Sequence, residues 1–163
     1  EDAIKVRAGK LAGLASSVWS APVLPRDIMD AYRPRADTIA EYTIDDHPYL
    51  LTATLHPVFE AFRKAVFALD PCVSEEFLKF YVAYKAETNF VDVVPQTKRL
   101  RLSLNMRFAD VNDPKGLCKD VTGIGRWGNG DVEIGLSKPE DLPYVIGLVR
   151  QALELQLGNG GDA

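Results

Sequence analysis

The chain has 163 residues, 47% of them hydrophobic and 26% charged, with a formal net charge of −4. That size and mix predict one folded domain with an ordered extension, and exclude both a disordered chain and a generally basic nucleic-acid protein. With no apolar run of about 18 residues, no secretory leader and only Cys72 and Cys118 as cysteines, the expectation is a cytoplasmic protein with no membrane partner and no disulfide framework.

In chain order, residues 3–18 carry a helical apolar stripe (Ile4, Leu11, Leu14, Ala15, Val18) that leads into Trp19. Pro22 and Pro25 break it, because each disfavours helix in the residue before it. Residues 20–47 read as a connector with a short helix at 26–32, closed by Asp45-Asp46-His47-Pro48. The expected division is an arm over 1–46, a domain over 47–157 and a flexible tail over 158–163. A start at Glu1 rather than Met fits a piece of a longer polypeptide whose upstream domains would be natural partners.

The domain opens with a predicted helix over 56–69, where Pro57 suits the first turn and Val58, Phe59, Phe62, Val66 and Leu69 recur at three- and four-residue steps. Asp70-Pro71 stops it. Ser74 followed by Glu75 and Glu76 reads as the N-cap of a second, shorter helix. Strands are predicted at 80–86, 89–94 and 99–108, with Pro95-Gln-Thr-Lys98 as a hairpin between the last two. Residues 110–116 are turn-rich, and 131–136 alternate again. Ser137-Lys-Pro-Glu140 has the form of a capping box ahead of a closing helix, which Gly158 would end. The fold class this supports is α+β: an antiparallel, curved sheet of about four or five strands, two main helices on one face, and a helical arm before it.

The most informative stretch is 99–107. Leu100, Leu102, Leu104 and Met106 alternate with Arg99, Arg101, Ser103, Asn105 and Arg107, giving a strand with one dry face and one basic face. Between residues 79 and 126 nine Lys and Arg face five acids, a net of +4 that leaves −8 for the rest of the chain. Segregation of this kind can focus a positive field on an acidic protein. Lys85, Arg99, Arg101, Arg107 and Lys119 are the candidate phosphate contacts, with Asn105 as a neutral hydrogen-bonding group among them. The same arginines would serve equally as a solvated face, or as partners for the acids Glu41, Asp45 and Asp46.

The loop Gly123-Ile-Gly-Arg-Trp-Gly128 matches G-x-G-x-x-G, but a strand follows it instead of a helix, so no dinucleotide site is expected. Its glycines permit positive φ. Arg126 and Trp127 at its tip would stack on a base, sugar or aromatic partner, or Trp127 would fold back to cap the core. His47 and His56 lack ligands at zinc spacing, and no acidic cluster has an EF-hand pattern. Ser103 has no histidine placed beside it by sequence, and Cys118 has only Lys119 as a cationic neighbour. No cofactor and no catalytic residue is assigned.

Tyr81-Val-Ala-Tyr-Lys85, Asn89-Phe-Val-Asp-Val-Val-Pro-Gln96, Lys98-Arg-Leu-Arg-Leu-Ser-Leu-Asn105, Lys119-Asp120-Val121 and Gly125-Arg-Trp-Gly-Asn-Gly-Asp-Val132 follow one another in an order that resembles a bacterial C-terminal domain of unknown function, over about residues 47–156. That domain closes longer restriction-like proteins. Some carry ParB-like and HNH nuclease domains, as in GmrSD-type modification-dependent systems, and others an endonuclease-like or "predicted transport protein" region. The leading Arg7-Ala-Gly-Lys-Leu-Ala12 and Trp19-Ser-Ala-Pro22 are similar to the joint after the HNH portion. The resemblance implies a noncatalytic accessory module in phage defence that contacts DNA or RNA. The competing expectation is a protein-interaction or dimerisation domain, a homodimer included, that regulates the parent nuclease.

Overall fold

The computed structural model describes residues 41–125 and 127–159. The sequence-predicted helices at 3–18 and 26–32, Trp19, Arg126 and most of the tail lie outside the described residues.

Helix α1 (His56–Phe67) begins where expected, with Pro57 in its first turn. Its entry is fixed by Thr52, whose Oγ1 accepts from the Leu55 amide at 3.2 Å and whose carbonyl accepts from the His56 amide at 2.9 Å. Val58, Phe59, Phe62 and Val66 form its buried stripe. Beyond it, Asp70 Oδ1 accepts from the Cys72 amide at 2.9 Å and turns the chain.

The sheet has six strands, all antiparallel, in the order β1-β2-β3-β4-β6-β5. They are β1 (Ser74–Phe77), β2 (Val82–Lys85), β3 (Asn89–Pro95), β4 (Leu100–Leu104), β5 (Lys119–Asp120) and β6 (Val132–Leu136). Residues 74–77 therefore correct the predicted N-cap: they are a strand, not a helix. Glu75 and Phe77 point the same way as their partners Tyr84 and Val82, and Glu75 is held there by Arg63 of α1. The period of two wins because these two residues have inward partners.

The register defines two faces. Tyr84, Val91 and Leu104 align across β2, β3 and β4, as do Val82, Val93 and Leu102, and β6 adds Val132, Ile134 and Leu136 to the same face. All are buried, and α1 and α2 (Leu142–Asn159) join them in one core. Burying each such side chain contributes roughly 1.5–3 kcal/mol, which makes this face the main source of stability. Arg63 donates to both oxygens of Glu75, Nη2 to Oε1 at 2.6 Å and Nε to Oε2 at 2.8 Å, and the Tyr84 hydroxyl donates to Oε2 at 2.8 Å, fastening α1 to the sheet.

The expected capping box at Ser137 is not formed. Pro139–Asp141 is instead a 3-10 turn with Lys138 at its N-cap, and α2 starts at Leu142 with Pro143 in its first turn. The helix runs through Gly158 to Asn159, past its expected end.

Candidate functional site

The second face of the sheet carries no helix among the described residues, yet its central side chains are buried. One cross-strand row runs Glu76, Ala83, Asp92, Ser103, Glu133, Lys119 from β1 to β5. In its middle Asp92 is 1% exposed, Ser103 0% and Glu133 9%.

The cover is the glycine-rich loop between β5 and β6, which crosses the sheet. At its base the Val121 amide donates to Asp131 O at 2.9 Å, and the Asp131 amide to Met106 O at 3.1 Å. Further along, the Asn129 amide donates to Asp92 Oδ2 at 2.8 Å, and Arg101 Nη2 donates to Trp127 O at 2.7 Å. At the far end the Trp127 ring stacks on Phe80, centroids 4.4 Å apart and planes 28° apart. Phe80 sits on the β1–β2 hairpin, which the Leu78 amide closes onto Tyr81 O at 2.9 Å. The loop thus reaches from one sheet edge to a hairpin near the other.

Gly130 makes this crossing sterically feasible. Its φ is +91°, and a Cβ there would lie 2.0 Å from Leu104 O and 2.5 Å from Asn105 Cα. Only glycine lets the main chain approach β4 that closely.

Asp92 is the anchor. Its Oδ1 accepts from Asn89 Nδ2 at 2.9 Å while Oδ2 takes the Asn129 amide. Burial pushes its carboxyl above the ordinary value; those hydrogen bonds and the Lys85 charge act in the opposite sense. A buried carboxylate with two donors is costly to form and costly to strip of either donor, so it specifies where the loop lies.

The structure sets acids beside the basic strand face expected from 99–107. Arg101 Nε lies 3.9 Å from Glu133 Oε2, and Arg99 Nη2 lies 3.8 Å from Glu133 Oε1. Arg99 also donates to Gln96 Oε1 at 2.7 Å. Lys85 pairs with Glu76. Arg107 stands past the end of β4 and forks onto Asp110, Nε to Oδ2 at 2.8 Å and Nη2 to Oδ1 at 3.0 Å. The strand itself has no acid, but β1, β6 and the turn after β4 supply them. Of the connector acids, Asp46 Oδ2 accepts from the Thr43 amide at 2.8 Å.

Asn105 donates to Asn89 O at 2.8 Å and ties β4 to β3, so it is a cross-strand brace. Lys119 is exposed on β5 opposite Glu133. Arg101 reaches the Trp127 carbonyl, and the Trp127 ring does not cap the core: it is 54% exposed on Phe80, itself 43% exposed. Lys79 Nζ lies 5.2 Å from the Phe80 centroid.

Phe80, Lys79, Asp92 and Glu133 were not singled out as site residues from sequence. Asp92 did carry a signal, since an acid inside Phe90-Val-Asp-Val-Val94 must find donors when that strand is buried. Nothing local marks Phe80.

The nucleophile candidates are enclosed or occupied. Ser103 is covered by the loop. Burial and Asp113 push the Cys118 thiol up to about 12. The His47 and His56 rings are hydrogen-bonded to Leu78 O and Leu50 O, at 2.8 and 3.0 Å. Among the described residues no group of three His, Cys, Asp or Glu is arranged to hold a metal, and no helix is long and apolar enough to cross a membrane.

Residues 46–156 match the family described as "Domain of unknown function (DUF5655)", and the chain belongs to that family. An "Uncharacterized protein" of Haemophilus influenzae is 34% identical over 116 residues, 71% of this chain and 38% of that protein. The chain therefore spans well under half the length of that curated relative. No solved structure matches it.

Proposed function

We propose that this member of the DUF5655 family is a noncatalytic accessory module that contacts nucleic acid, with the Trp127–Phe80 stack as its contact surface. The observation that carries the reading is that stack: two large aromatic rings exposed at the tips of two loops, one pinned to the sheet, with a lysine beside them. Every base has a π-face, and exposed aromatics next to cations are the usual means of holding one. The resemblance of residues 47–156 to the C-terminal domains of GmrSD-like proteins supports placing the module in a modification-dependent restriction system acting in phage defence in the bacterial cytoplasm.

Fluorescence anisotropy of labelled single- and double-stranded DNA, titrated with the chain at low salt, tests this. Binding is expected, and Trp127→Ala should weaken it about tenfold without lowering the melting temperature. Absence of binding to either DNA at low salt would sink the reading.

A second reading is favoured by the ion pairs. Lys85, Arg99, Arg101 and Arg107 all face carboxylates of this same chain, and Leu117 and Ile124 add apolar exposure at 53% and 56%. Those features suit a protein-interaction or dimerisation surface. Light scattering across a concentration series separates the two: a mass that rises with concentration, without any response to polyanions, supports the second.

A further inference from the structure

We infer that the element recognised is an unpaired base laid on Trp127, and that the sugar-phosphate backbone contributes little; this rests on the nucleic-acid reading above and narrows it. Three observations carry it.

The first is electrostatic. A protein that tracks a duplex gains affinity by neutralising several phosphates and releasing their counterions, which requires cations able to turn outward. Here four of the five candidate cations, Lys119 apart, are paired with carboxylates of the same chain. Arg107 forks onto Asp110, Lys85 pairs with Glu76, and Arg99 and Arg101 share Glu133. Arg101 also spends a guanidinium N–H on the Trp127 carbonyl. Turning both Arg99 and Arg101 to phosphates would strand Glu133, which is 9% exposed, whereas the exposed Lys85–Glu76 and Arg107–Asp110 pairs cost little to break.

The second is geometric. The indole rests on Phe80, and the main chain that carries it is held by Arg101 on the Trp127 carbonyl and by the Asn129 amide on Asp92 two residues on. Gly130 wedges the following main chain against β4. A ring stacked on a neighbour and carried by a pinned main chain loses less conformational freedom on binding, which favours affinity from a small contact. Arg101 and Asp92 are then positioning residues for Trp127 rather than phosphate contacts.

The third is a matter of access. In a duplex both faces of each base are already stacked, so a flat aromatic platform finds a partner only in a single strand, a loop or an extruded nucleotide. Lys79, 5.2 Å from the Phe80 centroid, gives the platform a cation at its edge. The chain segment bounded by Lys79 and Arg126 carries the +4 excess, so the sign of the local charge suits a polyanion.

The test uses the whole 163-residue chain and three labelled probes of equal length: a single strand, the same strand annealed to its complement, and an abasic strand. The single strand should bind about tenfold more tightly than either of the others. Its log affinity should fall with log salt with a slope below about two. Trp127→Phe, which keeps a smaller ring, should fall between wild type and Trp127→Ala, and Phe80→Ala should weaken binding by removing the support. Equal binding of duplex and abasic strand, with a steep salt slope, overturns the inference and leaves the nucleic-acid reading standing. If none of the probes binds at low salt, the nucleic-acid reading falls with it.

Discussion

On the helix side of the sheet, burial follows from a pattern of two and a pattern of 3.6 that meet: Val82, Val93 and Leu102 from the strands, Phe59 and Phe62 from α1, Val149 and Ala152 from α2. On the loop side the buried row is Asp92, Ser103 and Glu133, and what covers it is main chain with its donors aimed at a carboxylate. The first surface is held by many interchangeable apolar contacts. The second depends on a few positions whose hydrogen bonds must be kept, since each unmet polar group there costs what several methylenes supply. Stability should therefore be spread over the helix face and concentrated at two or three points on the loop face, and it is the concentrated side that presents the exposed aromatic stack.

The largest effect is expected where the two helices meet the sheet. Phe62 is fully buried, edge-on to Tyr84 with centroids 5.7 Å apart. Phe62→Ala should cost about 3–5 kcal/mol in urea unfolding. It should leave the Trp127 environment in the folded fraction unchanged, because no lost contact lies on the loop side. A loss below 1 kcal/mol would mean the helix face is not the main store of stability.

Next comes Gly130→Ala. The added Cβ would meet Leu104 O and Asn105 Cα, both backbone, at a φ of +91°. Strain and overlap together should cost about 2–4 kcal/mol, or be relieved by lifting the loop. The two outcomes are separable by hydrogen exchange. Lifting would expose the Asn129 and Asp131 amides while α1 stays protected, whereas a uniform loss would show that the two faces are one cooperative unit.

The same contrast explains what was legible in the sequence. The dry face could be read from alternation at 100–106 and 132–136 and from the helical steps at 58–66, since those periodicities are local. Ser74-Glu-Glu-Phe misled because an acid pair behind a serine is also what a helix start looks like. The deciding facts, Arg63 reaching Glu75 and Phe77 beside Phe59, come from another element. Ser137 misled as well: the chain there takes a 3-10 turn over Pro139–Asp141 with Lys138 as its N-cap, and α2 begins only at Leu142. The basic face was half right. Alternation correctly turned Arg101 and Ser103 away from the leucines, but charge along one strand says nothing about Glu133, which arrives from β6 about thirty residues later. The glycines announced a tight loop; its path across the sheet is a tertiary fact.

Asp92→Asn is the smallest and most specific change, and it tests the anchor without removing volume. One oxygen remains to accept from the Asn129 amide, and the Asn89 amide group can turn to present its own oxygen to the new NH2, so the hydrogen bonds survive and the buried charge goes. Because burial raises the folded carboxyl above its ordinary value of 3.8, the folded chain keeps its proton to higher pH than the unfolded chain does. Over that interval the native state binds more protons, so this group makes wild-type stability fall as pH rises. Above it, both states are ionised and the cost of burial is fully present. The asparagine variant lacks this contribution. The stability of Asp92→Asn relative to wild type should therefore climb from pH 4 upward, then level off, in parallel denaturation series. Two curves that stay parallel throughout would show that the Asn129 and Asn89 donors, with Lys85 nearby, already compensate the charge, and that the loop is held by hydrogen bonds whose strength does not depend on it. A variant that loses stability at every pH would make the carboxylate itself, and not merely an acceptor, the reason Trp127 stands where it does.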